Sequence, residues 1–229
     1  MSTIQRTLEV PGASLYYEIR GSGPVLMLIA LPGDSAGFAS IAPLLASDYT
    51  VVSYDPRGIS RSTIDDSSQD AHPDLIADDV HRLLTVVSTE PAYVFGSSGG
   101  AITGLALATA HPGQIRTLVA HEPPLVEFLP DREQMLAAID EVYDTYRTQG
   151  PTAAWPKFFA AAGFHPPAAA DGAGDEPRPQ ELPTAQMVAN GNRFLAHCLR
   201  PVTRYRPNIA ALRATPARIV VGRGTISTG

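Results

Sequence analysis

Short, unbroken apolar runs alternate with amphipathic stretches along this chain. Val25–Leu31 is apolar at every position and stops at Pro32-Gly33. Thr50–Tyr54 is rich in β-favouring residues and stops at Asp55-Pro56. Residues 92–95 stop at Gly96, residues 117–120 before Glu122-Pro123-Pro124, and residues 217–221 at Gly222. Runs this short and continuously apolar predict strands buried on both faces, as in a parallel sheet. Between them, residues 74–87 place Leu75, Ile76, Val80, Leu83, Leu84 and Val87 on one helical face. Gly99–Ala110 is small and apolar nearly all round, which predicts a deeply buried helix. Strand and helix in alternation predict an α/β fold, a mostly parallel sheet flanked by helices. Ahead of it, residues 7–10 and 15–19 flank Pro11-Gly12-Ala13-Ser14, the pattern of an antiparallel hairpin.

The alternation breaks between about 125 and 207. Asp131, with Gln134 three residues on, predicts a capped helix start. Met135, Leu136, Ile139, Val142, Tyr143 and Tyr146 supply its apolar stripe, and Gly150 ends it. Residues 166–183 hold five prolines, two glycines and four alanines, with no aromatic or β-branched residue. Such a segment cannot bury enough surface to offset its own ordering, so a mobile loop is expected. Residues 184–199 read as helix again, ended by Pro201. The chain thus divides into a core (1–124), a helical insertion that reads as a lid (125–207), and a return to the core (208–229).

Length and composition narrow the class. A chain of 229 residues that is 44% hydrophobic suits one domain with a sizeable core and excludes a wholly disordered protein. A net charge of −6 with no basic run argues against nucleic-acid binding. The apolar runs fall far short of the ~20 residues that span a bilayer. The first 22 residues lack the basic start and apolar run of a signal peptide. No membrane contact is expected. The single cysteine, Cys198, rules out an intrachain disulfide and is compatible with a reducing, cytoplasmic location. No His/Cys/Asp spacing suggests a metal site, so neither metal nor cofactor is expected. A small molecule is the expected partner.

The stretch Gly96-Ser97-Ser98-Gly99-Gly100 carries the chemistry. Gly96, Ser98 and Gly100 match Gly-x-Ser-x-Gly, between a strand that ends at Phe95 and a helix that begins near Gly99. A nucleophile on such a sharp turn needs glycine where side chains would clash. The turn would hold the Ser98 hydroxyl at the end of the sheet. The Gly99 amide, at a helix N-terminus, would stabilise an oxyanion. Ser97 becomes the nucleophile only if the register slips by one.

With these residues the chain resembles the α/β-hydrolase superfamily, and among its members the small capped bacterial serine hydrolases with an Ala-His-Glu-Pro-Pro stretch (120–124). Leu28-Ile29-Ala30-Leu31-Pro32-Gly33-Asp34 is similar to the strand and turn that supply the first oxyanion donor, with Pro32-Gly33 in place of the usual His-Gly. The resemblance makes the Asp34 amide that donor, provided its carboxylate points away or is neutralised. Residues 54–62 resemble the Asp-x-Arg-Gly-x-Gly-x-Ser turn, with Ser60 replacing one glycine. Asp55 and Arg57 read there as a carboxylate and guanidinium paired to hold a loop.

Triad order in this fold is serine, acid, histidine. The strand at 217–221 is followed by no carboxylate, and no histidine follows His197. The resemblance therefore implies that a last strand, a histidine loop and a final helix, roughly 40 residues by ordinary element lengths, lie beyond residue 229. Without them the strand near 221 is expected to leave a bare sheet edge. Glu122, at a strand end from which some relatives draw their acid, is an alternative acid; its other reading is to hold a loop. His121 should face away from Glu122 on an extended strand, which argues against it as the base. Met135, Tyr143, Trp155, Phe158, Phe159 and Phe194 are expected either to wall an apolar pocket or to pack the insertion. The activity so implied is hydrolysis of a small ester or lactone through acylated Ser98. The alternatives are a non-hydrolytic member of the fold, such as a cyclase or cofactor-free perhydrolase, and a catalytically incomplete binding protein.

Overall fold

The computed structural model describes residues 3–163 and 183–224. Strands Ile4–Val10 (β1) and Ala13–Arg20 (β2) form the hairpin, with Val10 paired to Ala13 across Pro11-Gly12. Then come Val25–Leu31 (β3), the short helix Ala42–Leu45 (α1), Thr50–Tyr54 (β4) and the two-residue strand Thr63–Ile64 (β5). Helix Pro73–Val87 (α2), strand Ala92–Ser98 (β6), helix Gly99–Ala110 (α3) and strand Ile115–His121 (β7) follow. Helices Arg132–Gln149 (α4), Pro151–Ala161 (α5), Ala185–Arg193 (α6), Leu199–Thr203 (α7) and Ile209–Ala214 (α8) precede the strand Arg218–Gly222 (β8).

The sheet runs in the order β1-β2-β4-β3-β6-β7-β8, with β5 paired to β2 off this path. From β4 through β8 all neighbours are parallel, whereas β1, β2 and β4 pair antiparallel. The winding reverses between β3 and β6. The chain leaves β3 toward β4, then crosses back over β3 to lay down β6, β7 and β8 on the other side. Ligands of open α/β sheets bind outside the carboxyl ends of strands at such a reversal. Here those ends are Leu31 and Ser98, which are register partners.

The two sheet faces are covered unequally. Helices α2 and α3 bury one face through Val80, Leu83, Leu84, Leu105 and Leu107, packed against Val94 and Leu118. On the other face Phe38 and Ala42 pack on Leu28 and Val51. Toward β6 and β7 that second face carries an apolar groove of about 320 Å³, lined by Leu28, Tyr49, Tyr93, Phe95 and Val119 among others. Among the described residues β8 pairs with β7 alone, and Val221 is 64% exposed.

The insertion departs from the sequence pattern in two places. Asp131 sits at φ −100°, ψ 24° and makes no side-chain cap bond, so the expected capping box is not formed. A capping side chain reaches its target from extended backbone; here the Arg132 amide donates to the Leu129 carbonyl, and that turn holds Asp131 outside the extended region. Nor does Pro201 end the helical path. Residues Phe194–Cys198 form one π-helical turn and α7 runs on through Pro201 to Thr203. Pro201 has no N–H to give the His197 carbonyl four residues back. The Ala71 amide fills that place at 2.8 Å. Of the loop expected at 166–183, residues 166–182 lie outside the described residues. No helix among the described residues is long and apolar enough to cross a membrane.

Candidate active site

Ser98 closes β6 at φ 54°, ψ −120° and is exposed. A non-glycine residue with this backbone is strained by roughly 1–3 kcal/mol and persists only where its surroundings dictate it. The surroundings here are glycines. A Cβ on Gly96 would lie 2.3 Å from the Gly100 carbonyl oxygen, and one on Gly100 would lie 2.2 Å from that of Ile29. Strand β6 therefore turns into α3 so tightly that the first helical turn rests on β3. Gly99 opens α3, whose first amides have no intrahelical acceptor. The register leaves no slip: Ala30 pairs with Ser97 and Leu31 with Ser98. Ser97 faces the opposite side of the sheet, where His121 Nδ1 lies 3.4 Å from its hydroxyl.

The turn after β3 holds Asp34 beside this elbow, following a cis peptide between Leu31 and Pro32. Asp34 caps a short 3₁₀ turn, its carboxylate accepting from the Ala36 amide at 3.0 Å. Its second oxygen accepts from the Ser60 hydroxyl, with the Asn190 side-chain amide 3.5 Å away. The carboxylate is thus engaged on the side of Ser60 and α6, and among the described residues no partner takes the Asp34 amide. Ser60 itself has φ 50°, in the left-handed region that favours the glycine it replaces.

Asp55 and Arg57 do not pair with each other. Asp55 accepts from Arg61 Nε at 2.7 Å and from the Ser35 and Arg61 amides at 3.0 Å. Burial works against its charge, but these hydrogen bonds more than offset it and hold its pKa below the usual carboxylate value. Arg57 turns to α2 instead and makes a two-pronged bond with Asp79, both side chains almost wholly buried. The signal for this pair was an acid at 79, on the same apolar helix face as Ile76 and Val80.

Glu122 follows β7 at φ 49°, and its carboxylate accepts from the Gly224 amide at 2.9 Å. It thereby ties the end of β7 to the turn after β8, the loop-holding arrangement. His121 stacks on Phe95, with centroids 6.0 Å apart, on the face opposite the α3 side. His197 meets Asp70 at 3.0 Å. Among the described residues no histidine bonds to the Ser98 hydroxyl.

The insertion gathers Trp155, Phe158, Phe159 and Phe194 into one aromatic cluster, with Trp155 stacked on Phe194 at 6.0 Å. Phe194 belongs to the same buried cluster as Leu31 and Ile102, which flank the elbow. Tyr143 instead lies under the Arg200 guanidinium, and Met135 joins neither group. At the far, amino-terminal end of the strands, Asp78, His81 and His111 lie within 4.8 Å of one another. Spacing along the chain gave no sign of this group. Its imidazoles stack at 3.7 Å with planes 4° apart, so their in-plane lone pairs run side by side and do not converge on one point. Arg82 already holds Asp78 at 2.8 Å.

Known proteins agree with this architecture. YraK of Bacillus subtilis, an uncharacterized hydrolase, is 45% identical over 128 residues, 56% of this chain and 47% of that protein. RutD of Azorhizobium caulinodans, provisionally named a carbamate hydrolase, is 37% identical over 110 residues, 46% of this chain and 40% of that protein. The chain thus spans about half or less of the length of these curated relatives. Among solved structures, a thermophilic esterase from Thermogutta terrifontis superposes with a TM-score of 0.69 at 17% identity, covering 98% of this chain and 80% of that one. The alpha/beta hydrolase fold family matches residues 23–154. That span holds the central strands, the glycine-cradled elbow and the start of the helical insertion, and by it the chain belongs to the α/β hydrolase fold family.

Proposed function

We propose that this chain carries the nucleophile and oxyanion hole of a serine hydrolase acting on small esters or lactones. The observation that carries this reading is Ser98, an exposed hydroxyl at φ 54°, ψ −120° on a turn so tight that a Cβ at Gly96 or Gly100 would clash with backbone. Ser98 Oγ attacks the substrate carbonyl carbon, and the carbonyl oxygen takes up the negative charge. The amides of Asp34 and Gly99 donate to that oxygen. A histidine outside the described residues takes the Ser98 proton and passes it to the departing alcohol. Water then cleaves the acyl–Ser98 ester and restores the enzyme. Glu122 serves the turn after β8 in this scheme, and the helices between β7 and β8 form a lid over the carboxyl ends of the strands. A cytoplasmic location is part of the same proposal, in keeping with the free, buried Cys198.

YraK and RutD both carry hydrolase names, which supports the reaction class. RutD adds a carbonyl flanked by nitrogen as a further substrate to test. A panel of short-chain esters, small lactones and simple carbamates should be turned over by the full chain, and Ser98→Ala should lose at least about a thousandfold. Equal turnover by Ser98→Ala would overturn the assignment. One observation favours a second reading, a hydrolase-fold protein that binds or rearranges its ligand without hydrolysis: among the described residues no histidine is hydrogen-bonded to the Ser98 hydroxyl. Ligand binding with no turnover anywhere in the panel is the outcome that reading expects.

A further inference from the structure

Two positions singled out in the sequence, the acid at 34 whose carboxylate has to point away and the serine that replaces a glycine at 60, meet in space. The third member of the contact comes from α6, 130 residues beyond Ser60. Asn190 Oδ1 accepts from the Ser60 amide at 2.9 Å, and Asn190 Nδ2 donates to the Ser60 hydroxyl at 2.8 Å. The Ser60 hydroxyl in turn donates to Asp34 Oδ2. The proton order is fixed by elimination. An ionised carboxylate only accepts, so Ser60 must donate to it. The Ser60 oxygen is then left to accept from Asn190, and the Ser60 amide needs the Asn190 carbonyl. The side-chain amide of Asn190 meets both demands at once. Gln186 supports its carbonyl at 3.0 Å. Gly191 lets α6 sit close, since a Cβ there would lie 2.9 Å from the Trp155 ring.

We propose that Asn190 is a positioning residue that works through Ser60 to hold the Asp34 carboxylate away from the nucleophile, so that the oxyanion meets the Asp34 amide and not its charge. This latch rests on Ser98 and the Asp34 amide acting as proposed above. It makes the docking of α6 a condition for a working oxyanion hole. A freed carboxylate would place negative charge beside an oxygen that is itself becoming negative, which raises the barrier to the chemical step and leaves ground-state binding alone.

Kinetics of the full chain on its best panel ester, with Asn190→Ala, Asn190→Asp and Ser60→Gly, test the latch. Losing an oxyanion donor outright costs about 10²–10³ in kcat, so a misplaced neighbouring charge should cost less, about tenfold, with KM within about twofold. Asn190→Asp puts two carboxylates on one proton, so its kcat should recover toward acid pH relative to the wild type. Ser60→Gly relieves the left-handed backbone and should keep or raise the melting temperature while lowering kcat. In an Asp34→Gly background, where no carboxylate needs holding, Asn190→Ala should cost nothing further in kcat. If Ser98 drives turnover yet Asn190→Ala and Ser60→Gly keep wild-type kcat, or if Asn190→Ala costs as much in the Asp34→Gly background, the latch is wrong and the nucleophile assignment stands. If Ser98→Ala turns over the ester as well as the wild type does, both fall together.

Discussion

At residue scale, the groups that matter are those whose backbone or burial departs from the ordinary. Ser60, Ser98 and Glu122 are the non-glycine residues with positive φ among those described, and all three stand at or near the carboxyl ends of the strands. Strain concentrated at one end of a sheet is characteristic of sites whose geometry outweighs its cost in stability. The opposite end holds a different device. Burial, and next to it the facing His81 ring, lower the pKa of His111, against a smaller opposing pull from Asp78. The unfolded imidazole protonates near its ordinary value of 6.5, the folded one only below that. Between the two values the unfolded chain holds the extra proton, so stability falls as pH drops through that window. The melting temperature should therefore decline below about pH 6.5, and His111→Asn should flatten that decline. An unchanged slope in the variant would show that the stacked ring titrates like a free one.

At the scale of elements, what was legible in the sequence was what local pattern decides. The ends of Val25–Leu31, Thr50–Tyr54 and Gly99–Ala110 coincide with the observed elements because turn residues cut off each run. What was not legible was decided by contacts between distant segments. The Asp131 cap failed because the preceding turn set its backbone. The helix carried on past Pro201 because an amide at Ala71, some 130 positions away, took the orphaned carbonyl. The partner of Arg57 lay one helix further on. Asn190 carried no sequence signal at all, since it matters only where it lands on Ser60 and Asp34. The join of β6 to α3 offers the sharpest test at this scale. Gly100→Ala would drive a methyl group into the Ile29 carbonyl, and backbone cannot step aside as a side chain can. Overpacking of this kind typically costs about 1–3 kcal/mol. Chemical denaturation should show a loss at least that large, whereas a loss below about 0.5 kcal/mol would mean that the elbow yields easily.

For the molecule as a whole, the sheet order explains why the site is where it is. The reversal between β3 and β6 lies at their carboxyl ends, and the chain places Asp34 just beyond one strand end and Ser98, the nucleophile candidate, at the other. The α/β class was readable from alternating patterns, because each strand and helix is encoded by its own residues. The strand order was not, because it depends on which side each crossover takes. Among the described residues, the face bearing Phe95 and Val119 carries an apolar groove. The proposed mechanism draws its base from no described residue, so the assignment of Ser98 as nucleophile carries the most weight. The most direct measurement is the mass of the full chain after exposure to an organophosphonate serine probe, with the adduct mapped by peptide. A single adduct on Ser98, absent in Ser98→Ala, is the expected result. An adduct on Ser97, an adduct that survives Ser98→Ala, or none at any probe concentration would contradict Ser98 as the nucleophile.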